Sequence, residues 1–250
     1  DWTSIERSRR RLAYDELLIL QLAVALKRAA VKRRTGYAIP VSPEIDRRIR
    51  RLFPFALTAA QDKAVADIVA DLALSQPMQR LLQGDVGSGK TAVATYAILA
   101  TIAAGHQAAL LAPTELLARQ QFHVLDEYLR NSRVRRRLLT GSLSAADRKQ
   151  VLDGLAKGEV DLVVGTHALV QPDVRFHRLA LVVIDEQHKF GVRQRAELLG
   201  QDQTPHQLVM TATPIPRSLA MTWFGDLDLT TMRERPAGRA GVKTHVVPAA

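Results

Sequence analysis

The clearest chemical signal in the sequence is a glycine-rich segment at residues 84–91, which reads GDVGSGKT. Its spacing fits the pattern G-x-x-x-x-G-K-[ST], in which glycines let backbone N–H groups converge on phosphate oxygens. In that pattern the lysine meets the β- and γ-phosphates, and the threonine hydroxyl ligates Mg²⁺. We therefore predict an ATP and Mg²⁺ site formed by Gly84, Gly87, Ser88, Gly89, Lys90 and Thr91. The alternative is a glycine-rich turn that happens to carry a lysine.

Two adjacent carboxylates supply the second half of such a site. Residues 181–186 read LVVIDE, an apolar strand that ends in Asp185 and Glu186. Ligands of open α/β sheets bind at the carboxyl ends of the strands, so we expect Asp185 to face the Mg²⁺ beside Lys90. Glu186 is placed to polarise the attacking water, and Lys90, Asp185 and Glu186 form the predicted catalytic set. The alternatives are an acidic pair that caps a helix, and a kinase of the same fold.

Alternating strands and helices have to position these residues. The predicted strands are 80–83, 108–112, 136–139, 161–164, 179–184 and 207–210, and the predicted helices are 59–74, 90–104, 115–130, 144–156 and 215–224. Several strands, such as 181–184, are apolar at every position, which is typical of parallel strands buried on both faces. The predicted fold class is α/β, a mainly parallel doubly wound sheet with helices on both faces. Arg136 and Arg137 fit such a strand only if one side of it is exposed.

A basic helical segment is predicted ahead of this sheet, at residues 1–52. A capping box of Thr3 and Glu6 and a stripe of leucines indicate a helix over 4–34. Ser42-Pro43-Glu44 starts a second, short helix. We assign the sheet domain to 53–235, and 236–250 to the start of a connection to a further domain.

The chain is basic, with 35 Lys and Arg against 25 Asp and Glu and a formal net charge of +10. Residues 1–51 hold 13 of the basic and 6 of the acidic residues, and a second basic cluster consists of Arg133, Arg135, Arg136 and Arg137. Such basicity suggests contacts with a phosphate backbone, although a solvated helix face explains any single cluster equally well. Aromatic residues make up only 5%, too few for a base-stacking platform.

Composition also excludes several kinds of protein. Cysteine is absent and the seven histidines show no close HxxxH pair, so we expect neither disulfides nor a zinc site. The longest apolar run, residues 17–26, is far shorter than the roughly 18 residues of a membrane span and lacks the features of a signal peptide. We expect a soluble, cytoplasmic protein that binds no membrane.

Several motifs together resemble those of superfamily 2 helicases. Asp185-Glu186-Gln187-His188 forms a DExH box, and Thr211-Ala212-Thr213 follows the next predicted strand. The chain resembles RecG-type ATP-dependent DNA helicases in particular. The stretches that carry this resemblance are GDVGSGKT (84–91), LLAPTELLARQ (110–120), LLTGS (138–142), VVGTHALVQ (163–171), DEQHKFGVRQR (185–195) and MTATPIPRSLAMT (210–222).

The resemblance implies roles for further residues. Phe55 and Gln61 resemble the Q motif, in which Gln61 reads the adenine of ATP, although Thr58 and Gln61 also make a good capping box. The loops expected to contact the DNA backbone contain Pro113, Thr114, Thr140, Gly141, Thr166 and His167. The residues expected to couple the nucleotide site to the DNA site are Gln187, His188, Thr211 and Thr213.

The resemblance also implies a larger machine. The family has a wedge domain ahead of the motor and a second RecA-like domain that carries an arginine finger, so we expect this chain to be a fragment that hydrolyses ATP slowly by itself. The implied activity is remodelling of forks and Holliday junctions in recombination and repair, by a monomer in the bacterial cytoplasm, associated with the nucleoid. The alternatives are a translocase of the transcription-repair coupling type, whose box looks more like DEEHRFGV, and a P-loop domain without a motor role.

Overall fold

The computed structural model describes residues 2–185, 203–212 and 227–232. Within these ranges the chain forms one seven-stranded sheet, in the order β3-β4-β2-β5-β6-β1-β7. Every pair of neighbouring strands is parallel. The strands are β1 (Gln79–Gly84), β2 (Gln107–Leu111), β3 (Arg136–Leu139), β4 (Leu162–Gly165), β5 (Leu179–Asp185), β6 (His206–Thr211) and β7 (Asp228–Met232).

Six α-helices and one short 3₁₀ helix accompany the sheet in the described residues. They are α1 (Trp2–Lys32), α2 (Pro43–Arg50), α3 (Ala59–Leu72), α4 (Lys90–Ala103), α5 (Glu115–Tyr128), α6 (Ala145–Ala156) and the 3₁₀ helix His167–Val170. These bounds match the predicted strands and helices to within two residues at each end. The predicted helix 215–224 lies outside the described residues.

Helices cover the sheet on both faces, which confirms the predicted doubly wound α/β class. Successive residues of one strand enter opposite cores: Leu110 of β2 belongs to the core under α3, α4 and α5, whereas Ala109 belongs to the core under α6 and the 3₁₀ helix. Side chains of a strand alternate between the two faces of a sheet. An apolar residue at every position is therefore what two covered faces require.

The two outer strands explain where the sequence pattern was weak. β3 lies at one edge of the sheet, and Arg137 points to solvent while Arg136 bonds Asp126 of α5 at 2.7 Å. An edge strand with one exposed side accommodates both arginines. Strand β7 at the other edge was not predicted, because its sequence DLTTM is polar and only Thr230 and Met232 are buried.

The N-terminal region divides into an exposed helix and a packed segment. Helix α1 begins at Trp2, so Thr3 lies inside its first turn and the predicted Thr3–Glu6 capping box was wrong. Its apolar side chains, such as Leu12 and Leu26, are largely exposed. Residues 36–53 instead contribute Ile39, Ile49 and Phe53 to the first core. The predicted domain boundary near residue 52 stays a prediction.

Helix α2 is fixed to the sheet domain by a polar cluster. Its Arg50 bonds both carboxylate oxygens of Asp46 at 2.9 Å and reaches Asp62 of α3 at 2.6 Å. The buried Tyr96 of α4 donates its hydroxyl proton to Asp46 at 2.5 Å. Burial, together with the Asp46 carboxylate, raises the pKa of Tyr96, so the phenol remains a proton donor. The cluster therefore joins α2, α3 and α4.

A buried histidine holds the segment before α2 against the sheet. The imidazole of His206, at the start of β6, accepts a hydrogen bond from the Met78 N–H at 2.9 Å through Nδ1. Its Nε2 donates to the Tyr37 carbonyl at 2.6 Å. Burial lowers the pKa of His206. The ring is therefore neutral, with its proton on Nε2.

None of the described helices is both long and apolar enough to span a membrane.

We expect Tyr96→Phe to destabilise the fold by about 1–2 kcal/mol, because it removes a hydrogen bond to a charged acceptor and keeps the ring. Urea unfolding measures this change. Tyr14→Phe is the matched control, since Tyr14 lies on α1 and is 58% exposed. Equal effects of the two substitutions would show that the Tyr96 hydroxyl contributes nothing to stability.

We expect His206 to make the stability pH-dependent. Because the pKa of His206 in the folded state lies below its usual 6.5, protons bind the unfolded chain in preference. The free energy of unfolding should fall as the pH drops from about 6.5 to the folded-state pKa, by at most about 1.4 kcal/mol per pH unit from this group. Urea unfolding across this range measures the slope.

The substitution His206→Gln should flatten that slope. A smaller slope of the same sign remains, since burial also lowers the pKa of His106. His123→Gln, at a side chain that is 76% exposed, should keep the wild-type slope. The assignment fails if the slope of the His206→Gln variant equals that of the wild type.

Candidate functional site

The predicted phosphate loop connects β1 to α4. Gly84 ends β1, and Lys90 is the first residue of α4. The Lys90 ammonium bonds the carbonyls of Gly84 at 2.7 Å and Asp85 at 3.0 Å. These bonds hold the charged group over the loop, at the carboxyl end of the sheet.

Two glycines of this loop adopt conformations that other residues avoid. Gly87 has φ = 81° and Gly89 has φ = 85°. A Cβ atom at Gly89 would also overlap the side-chain amide of Gln61. Glycine at position 89 is therefore required both by the backbone conformation and by this close approach.

Two further features show that the loop suits an anion. No side chain caps the N-terminus of α4, since its N-cap is Gly89. The Ser88 hydroxyl is buried, and no hydrogen-bond partner is found for it within the described residues. The helix N-terminus adds partial positive charge. An uncapped helix end, an unsatisfied buried hydroxyl and a lysine together fit a phosphate group.

Gln61 is bound to the phosphate loop and to its own helix cap. Its Nε2 donates to the Ser88 carbonyl at 3.1 Å, and its Oε1 accepts from the Thr58 N–H at 2.9 Å. The side chain is only 2% exposed. The capping box predicted from the sequence is therefore present, and the predicted contact with adenine stays a prediction.

Phe55 lies in an aromatic cluster with Phe53 and Tyr128. Its ring centroid is 5.8 Å from those of both Phe53 and Tyr128. Phe55 is 42% exposed while Phe53 is buried. The cluster leaves part of one ring accessible, and its predicted contact with ATP stays a prediction.

The second half of the site lies across one intervening strand. Asp185 ends β5, the phosphate loop follows β1, and β6 pairs with both. In this register Asp185 is opposite Met210, and Gln83 is opposite Thr211. Thr211, one of the predicted coupling residues, therefore lies between the two halves. The other predicted residues of this region, Glu186, Gln187, His188 and Thr213, lie outside the described residues.

One residue of this region was not identified from the sequence. Gln121 of α5 donates from Nε2 to Oδ2 of Asp185 at 2.9 Å. Its Oε1 lies 3.5 Å from the Thr91 hydroxyl. Gln121 precedes Asp185 by 64 residues and follows Thr91 by 30. No local motif therefore signals its position.

The loops predicted to bind DNA emerge from the other half of the sheet. They follow β2, β3 and β4, which are neighbours in the order β3-β4-β2 and are parallel. The three loops therefore leave the same edge. They carry all the predicted DNA-binding residues, namely Pro113, Thr114, Thr140, Gly141, Thr166 and His167.

The residues in these loops are not equally accessible. Thr114, Gly141 and His167 are exposed, whereas Thr140 and Thr166 are buried. Thr114 also caps α5, because its hydroxyl accepts from the Leu117 N–H at 3.3 Å. The exposed residues thus form the accessible edge, and the two buried threonines lie beneath its surface.

A polar contact ties two of these loops together. Glu115 accepts hydrogen bonds from Ser142 and from Arg119, the latter at 2.7 Å. Ser142 in turn lies 3.2 Å from the Thr140 hydroxyl. The bonds from Ser142 and Arg119 lower the pKa of Glu115. The loops after β2 and β3 are therefore held at a fixed separation.

Known proteins resemble this chain in both sequence and fold. The ATP-dependent DNA helicase RecG of Synechocystis is 48% identical over 97% of the chain, which spans 29% of that relative. RecG of Bacillus subtilis is 46% identical over 98% of the chain, which covers 36% of the length of that relative. The chain thus spans about a third of the length of these relatives.

A solved structure of RecG bound to a three-way DNA junction matches 95% of this chain and 32% of the other, with a TM-score of 0.85 and 42% identity. The DNA-bound helicase MrfA matches at a TM-score of 0.60 and 21% identity, which supports the fold alone. These matches confirm the resemblance to RecG-type helicases and the RecA-like fold. The DEAD/DEAH box helicase family matches residues 58–222, about two thirds of the sequence, and this chain therefore belongs to that family.

Proposed function

We propose that this chain is the ATP-binding motor domain of a helicase that remodels branched DNA, as at forks and junctions. The observation that carries the proposal is the division of one sheet edge into two adjoining halves. The phosphate loop follows β1, whereas Thr211 ends β6 and Asp185 ends β5. The three loops predicted to bind DNA follow β2, β3 and β4. Both RecG relatives are named ATP-dependent DNA helicases, which supports this assignment.

The nucleotide half supplies the residues that bind and activate ATP. Lys90 exchanges its two carbonyl partners for the β- and γ-phosphates, and the uncapped N-terminus of α4 donates N–H groups to them. Thr91 and Asp185 are the residues that would hold Mg²⁺. When bound, Mg²⁺ neutralises phosphate charge as the γ-phosphoryl group transfers. Glu186, next to Asp185 in the chain, polarises the attacking water, and Gln61 orders the loop from below.

The DNA half binds phosphates rather than bases. Its exposed residues include Thr114, Gly141 and His167. A loop edge of this kind positions a protein on the sugar-phosphate backbone and carries no base sequence information. Recognition of branched DNA therefore rests on the shape of the DNA. The proposed site of action is the bacterial cytoplasm, where such DNA lies.

Coupling between the nucleotide half and the DNA half depends on the strands and helices that both halves share. Thr211 is buried between the two nucleotide-binding strands. Gln187 and His188 follow Asp185 closely in the sequence, and Thr213 follows Thr211. We assign these residues to coupling, because they lie at or next in sequence to the ends of β5 and β6, and β5 pairs with β2 of the DNA half.

Lys90→Ala should weaken Mg-ATP binding by about tenfold or more, because a charge-assisted contact is worth roughly 1.5–3 kcal/mol. A fluorescent ATP analogue measures the affinity. Lys63→Ala removes the same charge from an exposed position on α3 and should leave the affinity unchanged. Wild-type affinity in the Lys90→Ala variant would refute the phosphate-loop assignment.

DNA binding should be independent of base sequence and should weaken steeply with salt. The logarithm of the binding constant should fall with log salt concentration by about 0.9 per phosphate contacted. Fluorescence anisotropy with forked DNAs of two unrelated base sequences measures both properties. Salt-independent binding, or a preference for one sequence at equal fork geometry, would contradict recognition through the backbone.

A further inference from the structure

We propose that Gln121 is a positioning residue that orients the two protein ligands of Mg²⁺, Thr91 and Asp185. The inference rests on the proposed ATP site and adds a residue from a helix outside the glycine-rich loop and the DExH box. Gln121 acts through the two ligands rather than on the nucleotide itself.

The orientation of the Gln121 amide matches the chemistry of both neighbours. A glutamine side chain has one acceptor, the carbonyl oxygen, and one amide donor group. The donor faces Asp185, whose carboxylate accepts at 2.9 Å. The acceptor faces the Thr91 hydroxyl at 3.5 Å. One side chain therefore contacts both Thr91, at the end of the phosphate loop, and Asp185, at the end of β5.

The contact with Asp185 fixes the rotation of its carboxylate. A carboxylate that ends a strand can turn about its last bond, and a hydrogen bond to one oxygen selects one orientation. Such outer partners orient metal ligands, and their loss typically weakens metal binding by about 10- to 100-fold. The bond is also charge-assisted, which makes it stronger than a neutral one.

The contact with Thr91 concerns the hydroxyl proton. A threonine that ligates a metal uses an oxygen lone pair and keeps its proton, which then needs an acceptor. Gln121 Oε1, 3.5 Å from Thr91 Oγ1, is placed to accept that proton. A shortening of the 3.5 Å separation on metal binding would direct the oxygen lone pairs of Thr91 away from α5.

Helix α5, which carries Gln121, also connects the candidate metal ligands to the loops proposed to bind DNA. Helix α5 begins directly after Thr114 in the first DNA-facing loop, and Gln121 lies about two turns further along. The N-terminal turn of the same helix is tied to the next loop through Glu115 and Ser142. The orientation of the metal ligands thus depends on α5, whose first turn lies beside the loops proposed to bind DNA.

The test is the effect of Mg²⁺ on nucleotide affinity in the 250-residue chain. A fluorescent, non-hydrolysable ATP analogue is titrated in excess Mg²⁺ and in EDTA, and the ratio of the two affinities is the readout. Gln121→Leu preserves the size of the side chain and removes both polar atoms. We expect it to reduce the Mg²⁺ enhancement by about tenfold and to leave the affinity in EDTA at the wild-type value.

Two comparisons separate positioning from a general loss of structure. Gln120→Leu makes the same change at the neighbouring, exposed residue of α5 and should keep the full Mg²⁺ enhancement. If Gln121 acts partly through Asp185, the change Gln121→Leu should have a smaller effect in an Asp185→Asn background than in the wild type. Additive effects of the two substitutions would overturn the proposal.

The outcomes also distinguish this proposal from the one on which it rests. Failure of the wild-type chain to bind the analogue more tightly with Mg²⁺ would overturn both. A normal Mg²⁺ enhancement in the wild type that Gln121→Leu leaves intact would overturn only the role of Gln121. A loss of affinity in EDTA as large as that in Mg²⁺ would assign Gln121 to the shape of the pocket and would likewise overturn its role toward the metal ligands.

Discussion

Parallel pairing of the central strands β5, β6 and β1 is the interaction on which the rest of the structure depends. It places Asp185, Thr211 and the start of the phosphate loop at one edge of the sheet, although they lie far apart in the sequence. The pairing is stable because both faces of these strands are buried under helices. The residues of the candidate site are therefore brought together as a consequence of hydrophobic burial.

The same edge continues into a second set of loops across the β2–β5 pair. One covered sheet thus presents the proposed nucleotide-binding half and the proposed DNA-binding half side by side. Helix α5 crosses between them: Thr114 caps it in the second half, and Gln121 contacts Asp185 in the first. Rigid elements shared by two sites are the physical means by which one site can affect the other.

Residues 36–53, the part of the N-terminal region nearest the sheet, hold the helices of the candidate site in place. Residues 36–53 pack into the first core, and the cluster of Asp46, Arg50, Asp62 and Tyr96 joins α2 to the helices that carry Gln61 and Lys90. Helix α4 begins with Lys90, and helix α3 is capped by Thr58 and Gln61. Fixing α3 relative to α4 therefore also fixes Gln61 relative to the Ser88 carbonyl.

The sequence by itself determined the fold class, six of the seven described strands, the phosphate loop and the acidic strand end, because each has a local signature. Strict glycine spacing, runs of apolar residues and helix caps depend on neighbouring residues only. The sequence missed β7, since an edge strand buries only part of its residues. Thr3 does not cap α1, because that helix starts before it.

Only the tertiary structure decided which distant side chains meet. It brought Gln121 to Asp185 and Thr91, and it showed that Gln61 bonds the phosphate loop and its own cap together. It also separated the exposed Thr114 from the buried Thr140 and Thr166. Burial and long-range hydrogen bonds depend on which strands and helices become neighbours, and no spacing along the chain encodes that order.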